Sequence, residues 1–184
     1  MLNFEERDLL LYVKSAIEEA QTLPLGVERV ASGLDDDLPV HARVGLRVPP
    51  EMKELVSVLR ERGFAVFFVS SSSQWAAEAL AAQYGVEPER VLGPRTRLRN
   101  LLVTDEVLEP VPVATGQAEA VAVFVGRTPD LSVGGPLDKA LLEYGGGEGL
   151  RLAIDPGDAS FRADAERRGW TVQPVFEAEA PAKP

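Results

Sequence analysis

The densest collection of reactive side chains in this chain is a row of hydroxyls, Ser70, Ser71, Ser72 and Ser73, which follows the apolar stretch at residues 64–69 and precedes an alanine-rich amphipathic segment. Hydroxyls and backbone N–H groups between the end of a strand and the start of a helix lie where the positive pole of the helix favours an anion. Phosphate is the ligand chemistry that fits, with Ser70, Ser71 and Ser72 as its contacts. Serine is also a common N-cap and loop residue, and a serine run at a strand end, taken alone, more often serves as a cap.

Other clusters carry less. Asp35, Asp36 and Asp37 precede the single histidine, His41, but they follow "ASGL" and precede "LPVH" with no apolar strand to present them. They read as a solvated loop, and His41 as a surface residue. The run "GGGEG" at 145–149 could cradle a phosphate, yet it ends a predicted helix, where glycine terminates the element. "VGGPLDK" at 133–139 lacks the GxxxxGK[ST] spacing of a nucleotide-binding loop. Trp75 and Trp170 are assigned to packing.

The elements that must position the serines come from periodicity. Leu9, Leu10, Val13, Ile17 and Ala20 share one helical face, predicting a helix over 4–20 with Asn3 as N-cap and Glu6 three residues on. Residues 22–50 mix proline, glycine and charge and read as loop with short irregular pieces. Residues 49–63 form a helix started by proline and stopped by Gly63, with Met52, Leu55, Val56 and Leu59 inward.

From residue 64 strand and helix alternate: strand 64–69, helix 74–84, a short strand in 89–93, an excursion over 97–113 turning near Asp105, and a helix over 116–126. Strand 130–134, helix 136–144, strand 150–155, helix 158–169 and strand 170–176 follow, and the tail at 177–184 reads as disordered. Such alternation implies right-handed crossovers and a mostly parallel sheet covered on both faces. The expected class is α/β, a Rossmann-like three-layer sandwich whose ligand sits beyond the carboxyl ends of the strands.

Composition limits the partners. With 184 residues and 45% apolar content, one domain is expected. A net charge of −10 argues against a broad basic face for nucleic acid or an anionic membrane. No cysteine is present, so disulfides and thiolate metal sites are excluded. The start "MLNFEERDLLLYVKS" carries acids where a signal peptide carries bases, and no run approaches the ~20 apolar residues of a membrane helix. A soluble cytoplasmic protein without nucleic-acid or membrane partners is expected.

Two blocks carry a family likeness. "RVPPEMKELVSVLRERGFAVFFVSSSSQWAAEALAAQYGVEPERVLGPR" and "GRTPDLSVGGPLDKALLEYGGGEGLRLAIDPGD" resemble the haloacid dehalogenase superfamily, and within it the phosphoserine-phosphatase-like branch. The resemblance runs from about residue 46 to 176. It implies a magnesium-dependent phosphomonoesterase working through an aspartyl-phosphate, with an Asp nucleophile, a second Asp as acid and base, a Ser or Thr on a phosphate oxygen, a Lys that offsets charge, and metal-binding Asp residues.

Carried over by position, the resemblance makes Ser70 the phosphate-oxygen contact. Elsewhere the motifs are degenerate. Gln117 in "GQAEAV" stands where the family has Lys, Gly135 where it has the metal Asp, and Lys139 at the second acidic position of the fourth motif. Asp138, one residue earlier and about 100° around a helix, is the one weak metal candidate. The DxDx(T/V) motif is absent, so no catalytic residue is assigned, and magnesium belongs to the intact family rather than to this chain.

In that family the first strand lies between the serine-motif strand and the fourth-motif strand, so residues 64–69 and 131–133 are expected to flank a gap lined by Val66, Phe68, Leu131 and Val133. Unpaired edges of that kind are avoided in folded proteins. A fragment starting mid-protein, a strand received from another chain, or closure of the sheet, for instance by "HARVGLRV", would each account for it, and the first is favoured. The expected organisation is residues 1–45 as an N-terminal helix and remnant of the cap region, 46–176 as the core, and 177–184 as the tail. Two functions are expected from the resemblance: a portion of a phosphoserine-phosphatase-like hydrolase, inactive alone, or a non-catalytic domain binding a small phosphorylated molecule or a protein partner. Self-association or pairing with a missing N-terminal segment is part of the expectation.

Overall fold

The computed structural model describes residues 4–31, 39–145 and 149–176. Asp35, Asp36, Asp37, Asn3, the tail at 177–184 and most of the "GGGEG" run lie outside the described residues.

The first helix, α1 (Glu6–Thr22), starts at Glu5 rather than at the expected Asn3, with no side-chain cap. Leu9, Val13, Ile17 and Ala20 are half-buried and Leu10 is exposed, so the predicted face is turned inward without reaching a core. α1 packs on α3 (Gln74–Ala81), and Gln21 donates to Gln83 Oε1 at 2.7 Å.

The described part of residues 22–50 is not irregular throughout. It holds an antiparallel hairpin, β1 (Gly26–Ala31) and β2 (Pro39–Val44), in which Arg29 faces His41 and Gly26 faces Val44. The alternation Val40, Ala42, Val44 against His41 and Arg43 has the period of a strand. Because "HARVGLRV" begins in this hairpin, it does not close the parallel sheet. His41 is exposed, as expected.

α2 (Pro50–Glu61) begins with proline in its first turn, where the missing N–H costs nothing, and Gly63 at φ 84° ends it. Beyond it, residues 64–67 have no ladder partner, and only β3 (Phe68–Val69) pairs, parallel to β4 (Val91–Leu92). The ladder is short because β4 has two residues and, among the described residues, no strand lies on the other side.

Side-chain parity shows how this pair is covered. Phe68 and Val91 pack with Val56 of α2 and with Ala77 and Ala81 of α3, whereas Val69 and Leu92 pack with Ala120 and Val121 of α4 (Gly116–Phe124). Successive strand residues point to opposite faces, so helices lie on both sides of β3 and β4.

The expected excursion is a hairpin, β5 (Arg95–Arg99) and β6 (Leu102–Leu108). Its turn is at Asn100 and Leu101, both at positive φ (51° and 65°), and not near Asp105, which is within β6. Positive φ at both central residues is the mark of the two-residue turn that matches strand twist. Arg95 lies over the Phe124 ring at 4.5 Å and ties the hairpin to α4.

A second parallel group, β7 (Leu131–Gly134), β8 (Leu150–Asp155) and β9 (Thr171–Pro174), carries α5 (Lys139–Tyr144) and α6 (Ala159–Arg167) around a core of Leu142, Ala153, Phe161 and Ala165. Trp170 packs on this core, with Arg168 5.4 Å from its ring. The chain is therefore a mixed α/β protein with several small sheets, some parallel, rather than one continuous ladder. Between the two parallel groups lies a cavity of about 610 Å³ lined by residues 63–69 on one wall and 127–133 on the other, Val66, Phe68, Leu131 and Val133 among them. No described helix is long and apolar enough to cross a membrane.

Candidate functional site

The serine turn is fixed by its neighbours. Ser70 N donates to Leu92 O at 2.9 Å, extending the ladder by one bond, and Ser72 N donates to Ser70 Oγ at 3.1 Å. Ser73, not Ser70, is the N-cap of α3, its Oγ accepting from Ala76 N at 3.4 Å. Gln74 binds the turn to the end of β4: its N–H donates to Pro94 O at 2.9 Å, its Nε2 to Val91 O at 3.0 Å, and its Oε1 accepts from Gly93 N at 2.7 Å.

The expected set of phosphate contacts, Ser70, Ser71 and Ser72, is thus modified. The Ser72 amide is consumed within the turn. The Ser70 hydroxyl, having accepted that bond, still has its proton to donate. Ser71 and Ser72 are exposed, and Ser70 is half-buried.

The positions onto which the resemblance carried the family's motifs come together in part. Gln117, in the first turn of α4, is 1% exposed, and its Nε2 donates to Asp138 Oδ1 at 2.7 Å. Gly135 N donates to the other oxygen, Oδ2, at 2.9 Å. Gln117, Gly135 and Asp138 therefore form one hydrogen-bonded unit just beyond β7, in which each carboxylate oxygen has a donor. Gln117 Oε1 is buried without a partner, and so is the Ser132 hydroxyl of β7.

Gly134 and Gly135 differ sharply in the space around them. A Cβ on Gly134 would lie 2.6 Å from Asp138 Cβ, so the approach of Asp138 to the strand requires glycine. A Cβ on Gly135 would meet Ile154 O at 3.6 Å, an ordinary contact.

Lys139 is not in this unit. Its Nζ pairs with Asp164 Oδ2 at 2.7 Å, and Asp164 also binds Arg167 and Arg168, while Arg168 reaches Glu143 Oε1 at 2.9 Å. The hydrogen bond from Lys139, seconded by Arg168, holds the Asp164 carboxyl below its ordinary range against the opposing effect of burial. The lysine serves to join α5 to α6. Among the described residues, no hydrogen bond links the serine turn to the Gln117–Asp138 unit, and no three His, Asp or Glu side chains gather where they could hold a metal ion.

One buried acid escaped the sequence reading. Asp155, at the end of β8, is 2% exposed and accepts from Arg162 Nε at 2.6 Å, Gly157 N at 2.9 Å and Asp158 N at 2.8 Å. The Arg162 bond, with the two amides, lowers its pKa despite burial. The signal was "AIDPGD", an acid closing an apolar strand before a proline-glycine turn.

No family model matches the chain, and no curated protein does. The crystal structure of a conserved functionally unknown protein from Anaerococcus prevotii DSM 20548 is similar, with a TM-score of 0.80 at 18% identity over 96% of this chain and 56% of that one. The likeness is one of fold, and this chain spans little more than half the length of that structure.

Proposed function

We propose that the chain is a portion of a phosphoserine-phosphatase-like domain, a Rossmann-like three-layer sandwich of the haloacid dehalogenase type, that holds a small phosphorylated molecule in the cytoplasm without turnover of its own. The observation that carries this reading is the engagement of Asp138: Gln117 donates to one oxygen at 2.7 Å and Gly135 N to the other at 2.9 Å. These two bonds tie Asp138 to α4 and to the loop after β7. With Lys139 engaged by Asp164, the motif positions serve internal structure rather than phosphoryl transfer.

Binding is supported by the serine turn. The Ser70 hydroxyl retains a donor proton beside the first turn of α3, whose positive pole favours an anion. Inorganic phosphate titrated against the labelled chain should move the amides of Ser70, Ser71 and Ser73, and Ser70→Ala should abolish the shifts. Unmoved resonances at high phosphate would defeat the binding reading. With p-nitrophenyl phosphate and magnesium the purified chain should show no turnover, and hydrolysis lost on Ser70→Ala would defeat the non-catalytic one.

A further inference from the structure

We infer that the groove between α3 and the β5–β6 hairpin is a site for a short zwitterionic peptide, which sets its carboxylate on Arg95 and its ammonium toward Glu6. The groove measures about 790 Å³ and is lined by α3, β4 and β5, with the first residue of α1 and the last of α4 at its margins. It includes neither the serine turn at 70–73 nor the Gln117–Asp138 unit, so the inference stands apart from any phosphoryl chemistry.

The positive end is an arginine that no carboxylate answers among the described residues. Arginines alternate along β5 at 95, 97 and 99. Arg97 and Arg99 both pair with Glu106, whereas Arg95, half-buried, lies only over the Phe124 ring at 4.5 Å. A cation partly removed from water is stabilised by an anion, and a guanidinium offers a carboxylate two parallel N–H groups. Beside it the Thr96 hydroxyl, buried without a partner, lines the same groove and supplies a further donor.

The negative end is at the other end of the hairpin. Glu6 N donates to Leu101 O at 3.1 Å and Glu5 bridges to Leu102, so Glu6 stands beside the turn, while Arg95 pairs with Leu108 at the far end of the ladder. At about 3.3 Å per residue, β5 is about 13 Å long. The ligand therefore carries its two charges about 10 Å apart, which excludes a free amino acid and matches about three extended residues. Glu78 and Glu89 also line the groove, and three carboxylates against one arginine without an ion pair disfavour a ligand of net negative charge. Trp75, Leu92, Leu98 and Leu108 complete the wall, an apolar surface for an aromatic middle side chain.

The test is calorimetric titration of the full chain with alanyl-phenylalanyl-alanine, its carboxyl-terminal amide and its N-acetyl form. The free peptide should bind about tenfold more tightly than the amide, which loses the charge-assisted contact to Arg95, and severalfold more tightly than the acetyl form. Arg95→Gln should abolish the preference over the amide and keep the preference over the acetyl form, and Glu6→Gln should do the reverse. Arg99→Gln, outside the groove, should change neither. Amide exchange across β5 and β6 checks that the hairpin is intact in each variant. Absence of binding at millimolar peptide, binding of either blocked form as tight as that of the free one, or an unaltered preference over the amide in Arg95→Gln would overturn the inference.

Discussion

Gly134 and Gly135 are adjacent in sequence, yet alanine at the two positions should have opposite consequences. At Gly134 the new Cβ would lie 2.6 Å from Asp138 Cβ and 3.2 Å from Oδ2. Carbon pairs rest at about 3.5–4.0 Å, so Asp138 must retreat by about 1 Å. Its two donors, Gln117 Nε2 and Gly135 N, are placed on separate elements and cannot follow together. Overpacking costs about 1–3 kcal/mol, and loss of one bond to a carboxylate about 1.5–3 kcal/mol; partial relief of one by the other leaves about 3 kcal/mol.

At Gly135 the nearest atoms would be Ile154 O at 3.6 Å and Asp138 Oδ2 at 3.9 Å, and φ is −101°, open to any L-residue. Alanine there should be neutral or stabilise by about 0.4–1 kcal/mol by restricting the unfolded chain. Urea unfolding followed by circular dichroism measures both. With a slope of about 2 kcal/mol per molar, Gly134→Ala should lower the midpoint by about 1.5 M and Gly135→Ala should leave it in place or raise it. Equal shifts, or a larger loss at Gly135, would refute the close approach of Asp138 to β7.

Gln117→Leu should lie within about 1 kcal/mol of the parent in the same assay, since the lost bond to Asp138 is offset by removal of a buried carbonyl without a partner. Gln117→Glu should be markedly less stable at neutral pH and recover on acidification, because it sets a second carboxylate against Asp138. For Asp155, whose folded pKa is lowered by Arg162, the stabilisation is complete above the unfolded value of about 3.9 and is lost as pH falls through the lower folded value. Asp155→Asn should flatten the acid limb of a stability-against-pH profile, and an unchanged limb would show that the ion pair contributes nothing.

From residue 49 onward the sequence alone determined the order of the elements and most of their bounds, because their signals are local, although the strand expected over 64–69 pairs only at Phe68 and Val69. Proline in the first turn of α2, Gly63 and Gly126 at positive φ, and Asp158 capping α6 through Ser160 N and Phe161 N each act within a few residues. The alternation of β1 and β2 was equally local but was hidden among proline, glycine and charge, and the turn at Asn100 and Leu101 lacked the glycine that usually marks positive φ. Periodicity also marked Val66, Phe68, Leu131 and Val133 as strand residues. A gap lined by those side chains was expected only through the family resemblance; the tertiary structure decided that the two parallel groups stand apart with a cavity of about 610 Å³ between them. The candidate site divides in the same way. Ser70 at the end of an apolar strand was legible, whereas the bond from Gln117 to Asp138, 21 residues apart, and the pairing of Lys139 with Asp164 depend on how α4, α5 and α6 pack. Hydrogen bonds of that span are set by the relative placement of whole elements, and residue spacing along a chain carries no record of it.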